Sequence, residues 1–217
     1  MKKSISLILI SIFTLIVLTA CNQKPVEIDE EKENSSVEAD NVRVSQTDNT
    51  WYMEQDGNMY YCQTTDIVWR LHVIEAATGS RFYALEKSEH GSNPSTWWDV
   101  INEDPFDGTW GVAQGLKFYD DNFAFASISR ADESRSSVYI TRDGGVTFEK
   151  IVLPMDQVTK LPENAEEYEY TIEDYDYMFM PEMEENGWSI LVTTARLYKD
   201  GITFFSEDDG VTWNVVE

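Results

Sequence analysis

The side chains with the clearest chemical spacing are Thr141, Asp143, Gly145, Thr147 and Phe148, and again Ser206, Asp208, Gly210, Thr212 and Trp213. Both stretches read hydroxyl-x-Asp-x-Gly-x-Thr-aromatic, and each follows an apolar, aromatic run, Val138-Tyr139-Ile140 and Thr203-Phe204-Phe205. A carboxylate placed two residues after a hydroxyl can accept hydrogen bonds from backbone N–H groups that a tight turn leaves unpaired. Gly145 and Gly210 supply the positive φ that such a turn requires. Thr147 and Thr212 begin the returning strand, and Phe148 and Trp213 turn inward onto the neighbouring sheet. Every position has a folding role, so Asp143 and Asp208 are expected to be structural carboxylates rather than acid–base catalysts.

A second constellation is Glu163–Glu185, with ten acidic side chains, no basic one, and four interleaved tyrosines, Tyr168, Tyr170, Tyr175 and Tyr177. Tyr168, Tyr170 and Ile172 share one parity, and Tyr175, Tyr177 and Phe179 the other, so a bulge or tight turn is expected at Glu173-Asp174. One reading places the tyrosines on a half-buried strand with the carboxylates facing water. The other makes the segment a binding loop, with tyrosines stacking on sugar rings and carboxylates collecting Ca²⁺ or a cationic partner.

Other chemistry is sparse. His72 and His90 are the only histidines and lie in different contexts, which supports no histidine metal site. No EF-hand spacing is present, since Asn102–Gly108 puts Phe106 where an oxygen ligand is needed. No GxSxG elbow occurs. Carboxylate pairs are too numerous in this chain to single out one for glycoside hydrolysis. No metal and no cofactor is expected.

The elements that would position these groups are strands. The two boxes lie 65 residues apart, and a worn third copy runs from Arg81 to Gly91, with Lys87 for the hydroxyl, Glu89 for Asp, and a delayed Thr96-Trp97. Between boxes lie hairpin-like runs, Leu116–Ala126 and Met178–Val192, and a half-hairpin at Met59–Gln63. One such hairpin plus one box hairpin makes a four-stranded antiparallel unit. No 3.6-residue periodicity is sustained after the N-terminal segment, so little helix is expected.

The box pattern resembles the Asp-box, or bacterial neuraminidase repeat, of sialidase-like β-propellers. The resemblance covers residues 51–217 and implies an all-β fold of antiparallel propeller-like blades, three recognisable units making either four blades or an incomplete propeller. In that family the box lies on the blade edge away from the active site. Sialidases use three arginines, one in an Arg-Ile/Leu-Pro motif; here Leu161-Pro162 follows Lys160. The resemblance therefore extends to the blades and gives no warrant for the activity. An open array would leave strand edges exposed unless a second copy completes it, which makes a homo-oligomer one expected partner.

The N-terminus gives an address. Lys2 and Lys3 precede an apolar run from Ile5 to Ala20, the pattern of a secretory signal in residues 1–20. Leu18-Thr19-Ala20-Cys21 resembles a bacterial lipobox, which implies lipidation at Cys21 and a bacterial cell-membrane anchor facing outside the cytoplasm. Cys62 is then left without an intramolecular partner and reads as an inert strand cysteine. Residues 21–50 read as the lipidated Cys and an acidic tether without aromatic residues.

The full chain carries 40 acidic against 16 basic side chains, a net charge of −24, which loss of the signal lowers to −26. Nucleic acid is excluded as a partner, because its phosphates demand a basic surface. The expected function is a non-catalytic binding or scaffold domain for a protein or a glycan, with a glycan-processing hydrolase and an assembly factor for a membrane complex as alternatives.

Overall fold

Alternating apolar residues punctuated by Gly, Asp and Asn produce short strands throughout the described residues. The computed structural model describes residues 51–53, 57–62, 67–89, 97–198 and 200–216, all within one compact unit spanning Asn41–Glu217. The signal segment, Cys21, the tether and residues 90–96 of the worn third box lie outside the described residues, as does the side chain of Cys62, while Trp97 at the end of that box is exposed. The described chain is all-β: fourteen strands, three 3₁₀ turns and, among the described residues, no α-helix.

The strands form three successive antiparallel meanders. The first contains β1 (Trp51–Met53), β2 (Met59–Cys62), β3 (Val68–Ala77), β4 (Ser80–Ser88) and β5 (Asp99–Asn102), paired in chain order. The second contains β6 (Val112–Phe118), β7 (Ala124–Ser129), β8 (Ser136–Thr141) and β9 (Glu149–Lys150). The third is built on β12 (Gly187–Thr193), β13 (Ile202–Ser206) and β14 (Asn214–Val215). β10 (Tyr177–Met178) and β11 (Glu182–Glu184) both pair with β12 on its other side. One parallel pair, Tyr177↔Ser136, links the third meander to the second, and a single bridge, Arg81↔Gly111, links the second to the first. Among the described residues the strands close into neither a barrel nor a ring.

The middle meander is covered on both faces, and β7 shows why. All six of its residues are buried. Ala124, Ala126 and Ile128 face one way, into a core with Trp69, Leu71, Tyr83 and Leu85 of the first meander. Phe125 faces the other way, into a core with Trp188, Ile190, Val192 and Phe204 of the third. That second face also carries Ser127 and Ser129, both buried, so the strand is covered on both sides. Aromatic rings fill both layers. Trp69 stacks on Phe118 with centroids 3.8 Å apart, and Phe125 meets Trp188 edge-on at 5.1 Å. Phe106, which spoils the calcium-loop pattern, is a core residue, edge-on to Tyr83 and Tyr139. The polar tips are satisfied across the layer: the Tyr61 hydroxyl donates to the Phe118 carbonyl at 2.6 Å, and the Tyr83 hydroxyl accepts the Ala113 N–H at 3.0 Å.

The Glu163–Glu185 segment differs from the strand reading. Before β10 it turns through 3₁₀ segments at Glu163–Ala165 and Ile172–Asp174. The parity switch at Glu173-Asp174 falls in the second of these, where Asp174 Oδ2 accepts the Thr171 N–H at 2.7 Å and the Thr171 hydroxyl at 2.9 Å. A reciprocal cap of this kind holds a turn without help from a sheet.

Candidate functional site

Both boxes form the same local network. In the first, the Thr141 hydroxyl donates to Asp143 Oδ1 at 2.8 Å and accepts the Gly145 N–H at 2.9 Å. The two oxygens of Asp143 then accept the Thr147 N–H at 2.9 Å and the Thr147 hydroxyl at 2.6 Å. In the second, Ser206, Asp208, Gly210 and Thr212 repeat these four bonds at 2.8, 2.9, 2.8 and 2.6 Å. Gly145 and Gly210 sit at φ of 92° and 75°. Trp213 is buried, with its indole N–H on the Gly210 carbonyl at 3.2 Å, and Phe148 packs against the first core. The Thr212 hydroxyl and backbone N–H hold the Asp208 carboxyl down at about 2. Partial burial pushes Asp143 up, but the hydrogen bonds from Thr147 and Thr141 outweigh it and the carboxyl titrates below its ordinary range. These carboxylates have their acceptor capacity committed to a turn, which leaves little for acid–base chemistry.

The boxes also join meanders. A Cβ on Gly145 would stand 2.2 Å from Leu85 Cδ2, and one on Gly210 2.9 Å from Ile140 Cδ1, so each turn is pressed onto the preceding meander. Arg142 Nη2 donates to the Asp209 carbonyl at 2.8 Å, tying one box to the next.

The acidic, tyrosine-rich segment lies elsewhere. Asp200 precedes β13 and Asp208 follows it, so the two mark opposite ends of one strand. A groove of about 570 Å³, lined by Lys160, Leu161, Ile202 and Val216 among others, shares Pro162, Glu163, Gly201 and Thr203 with an adjoining one of about 610 Å³. The second limb adds Asn164, Glu167, Leu191 and Asp200. Both volumes fall in the range of small-molecule sites, about 300–1,000 Å³.

Three of the four tyrosines meet one another in the turns that follow Asn164 and Glu167. Tyr168, more than half exposed, stacks on Tyr170 with centroids 5.6 Å apart, and Tyr170 meets Tyr175 edge-on at 6.5 Å. Tyr177 goes elsewhere: it is buried on β10 against Phe179. Tyr198, from the loop before β13, joins the cluster through a hydrogen bond to Tyr170 that raises its pKa. Burial raises the Tyr175 hydroxyl, with Tyr170 and Asp200 adding to the effect. Asn164 donates to Asp200 Oδ2 at 3.1 Å. Among the described residues, Asn164 Oδ1 and the Tyr175 hydroxyl are buried without a hydrogen-bond partner.

Asn164, Tyr198 and Asp200 escaped the sequence reading. Asn164 and Asp200 are 36 residues apart and follow no motif; only the apolar pair Leu197-Tyr198, stranded in a turn between two strands, gave a signal. His72 is half-buried on β3, with Nδ1 3.2 Å from Asn58 Oδ1. Among the described residues no three His, Cys, Asp or Glu side chains come together as metal ligands. No protein-family model matches the chain, and no curated protein matches it.

Proposed function

We propose that this chain is a lipid-anchored, extracytoplasmic binding protein whose Asp-box domain is non-catalytic and holds a saccharide. Residues 1–20 direct export, Cys21 carries the anchor, and residues 21–50 hold the domain off the bilayer. The three meanders are read as three blades of a propeller left open at its ends. Support for that reading comes from the two boxes, which repeat their bonds and each press onto the meander before them.

The observations behind the binding function are the groove walled by Asn164, Glu167 and Asp200 and the exposed Tyr168–Tyr170 stack that follows Glu167 in the chain. A flat aromatic face covers the apolar face of a pyranose, and amide and carboxylate groups on the wall satisfy its hydroxyls. The groove and the second box occupy opposite ends of β13, and the first box follows β8, so recognition and the structural turns do not compete for the same residues.

Isothermal titration of the purified protein against neutral and charged oligosaccharides tests this. Binding to at least one class is expected, weakened about tenfold or more by Tyr168→Ala, since loss of a stacking aromatic costs on the order of 1–3 kcal/mol. No heat with any saccharide overturns the saccharide reading, and turnover of a glycoside overturns the non-catalytic one.

A further inference from the structure

We propose that the outer face of the third meander is covered by the first meander of a second copy of this chain, so that two copies together close a ring of six meanders. The inference concerns the open ends of the array and goes beyond the saccharide reading.

The way one meander covers the next is set within a single chain. Each box turn rests on the meander before it, Gly145 against Leu85 and Gly210 against Ile140. Ile140 stands directly before the first box hydroxyl, Thr141, and Phe205 holds the same place before Ser206 in the second box. Phe205 therefore marks where a further box-bearing meander would rest, and both boxes of the chain are already seated elsewhere. The register shows what surrounds it. Phe205 and Thr203 point away from the core that holds Ile202 and Phe204. Leu191 pairs with Thr203, whose carbonyl accepts the Val216 N–H at 2.8 Å, so Leu191 and Val216 join the same outward face. Leu191 and Phe205 are half-buried and Val216 is 52% exposed.

The first meander has a matching uncovered side. Tyr83 and Leu85 face the second meander, whereas Glu86 and its register partner Val100 face away. On that outward side Val100 is 54% exposed, and Trp98 lies over the Arg70 guanidinium at 4.0 Å. Trp97, next in the chain, is 72% exposed. Aromatic and aliphatic side chains left at the surface in this way mark interaction sites.

Charge selects which faces meet. Among the described residues of 177–216, seven carboxylates stand against one arginine, Arg196; among those of 51–102, four stand against three cations, Arg70, Arg81 and Lys87. Two third meanders would set like charges against each other, and a third against a first avoids this. The contact is thus heterologous, and repeating it in the opposite direction closes the pair. Six meanders fall within the roughly four to eight blades that close a propeller, and nine would exceed it. Leu191, Thr203 and Val216 also line the groove, so a paired chain has its groove covered and the unpaired chain is the form that takes a saccharide.

Sedimentation equilibrium of the full chain in density-matched detergent tests this, at about 0.3 M salt to screen repulsion between acidic copies. A species of two chains is expected. Val100→Glu and Val216→Glu, both at exposed positions, are each expected to weaken association about tenfold or more, because a carboxylate would enter an apolar contact. Val211→Glu, on the exposed tip of the second box turn, is expected to leave association within about twofold. Mixing Val100→Glu with Val216→Glu brings the intact third meander of one chain to the intact first meander of the other. Association is expected to recover in part, which also shows that both variant chains are folded. A monomer at every concentration, growth beyond two chains, association that either variant leaves unchanged, or no recovery on mixing overturns the inference. Each of these leaves saccharide binding standing, since no saccharide is present in the experiment.

Discussion

Replacing Gly145 with Ala separates two effects that a box glycine combines. At φ 92° an L-residue carries left-handed strain, roughly 1–2 kcal/mol. The added Cβ also stands 2.2 Å from Leu85 Cδ2, and Leu85 is fully buried between the first two meanders, where its methyl group has no free volume to enter. Overpacking of this kind costs about 1–3 kcal/mol. Gly108→Ala supplies the control, since Gly108 has φ 74° and open space around its Cβ. Strain and unfolded-chain entropy are shared by the two variants, so Gly145→Ala should be less stable than Gly108→Ala by about 1–3 kcal/mol. With a urea m-value of about 2 kcal/mol/M, the two midpoints should differ by roughly 0.5–1.5 M. A double-mutant cycle sharpens the assignment. Leu85→Ala alone is costly, about 2–5 kcal/mol, but in its background Gly145→Ala should cost no more than Gly108→Ala. Equal midpoints for the two glycine variants, or a penalty at Gly145 that survives Leu85→Ala, would refute the claim that this turn is clamped onto the first meander.

Acid should loosen both boxes. Asp208 is held at about 2 and Asp143 below its ordinary range, so their contribution is complete above about pH 4, the unfolded value, and is lost as pH falls toward the folded values. Urea midpoints measured from neutral pH down to about pH 2.5 should fall below pH 4, and Asp208→Asn should show a smaller acid-induced drop from a lower starting point at neutral pH. Cys21→Ser should move the protein from the membrane pellet to the soluble fraction of its bacterial host, as fractionation and immunoblotting would show; retention in the pellet would remove the lipid anchor from the proposal.

The box geometry was legible because it is local. The four bonds of each box join residues two to four positions apart, so hydroxyl, Asp, Gly and Thr at fixed spacing already specify the turn. The hairpins at Leu116–Ala126 and Met178–Val192 were legible for the same reason, and both are formed. The groove was not. Its walls come from Pro162, Glu163, Asn164 and Glu167 on one side and from Leu191, Asp200, Gly201 and Thr203 on the other, brought together by tertiary packing alone. Of the two readings of the tyrosine segment, the strand fails before β10: Thr171 and Asp174 cap a 3₁₀ turn between Tyr170 and Tyr175, where the parity switch predicts a turn, and leave no ladder for either to join. Strand parity gives a face only when a neighbouring strand exists.

The placement of the two sites on one strand limits how they can influence each other. β13 has five residues, about 17 Å of extended chain at the usual rise. Its inward residues, Ile202, Phe204 and Ser206, are buried on the second core, and Ser206 is also the hydroxyl of the second box. Its outward Thr203 lines the groove. Box and groove therefore share a strand, with the box turn after Ser206 at one end and Gly201, Ile202 and Thr203 lining the groove at the other. A change in the box turn can reach the groove by shifting the whole strand, which the buried Phe204 and the five-pair register with β12 resist. Substitutions in the box should thus lower stability before they alter affinity, and substitutions at Tyr168 or Asp200, on surface turns outside both cores, should alter affinity before stability.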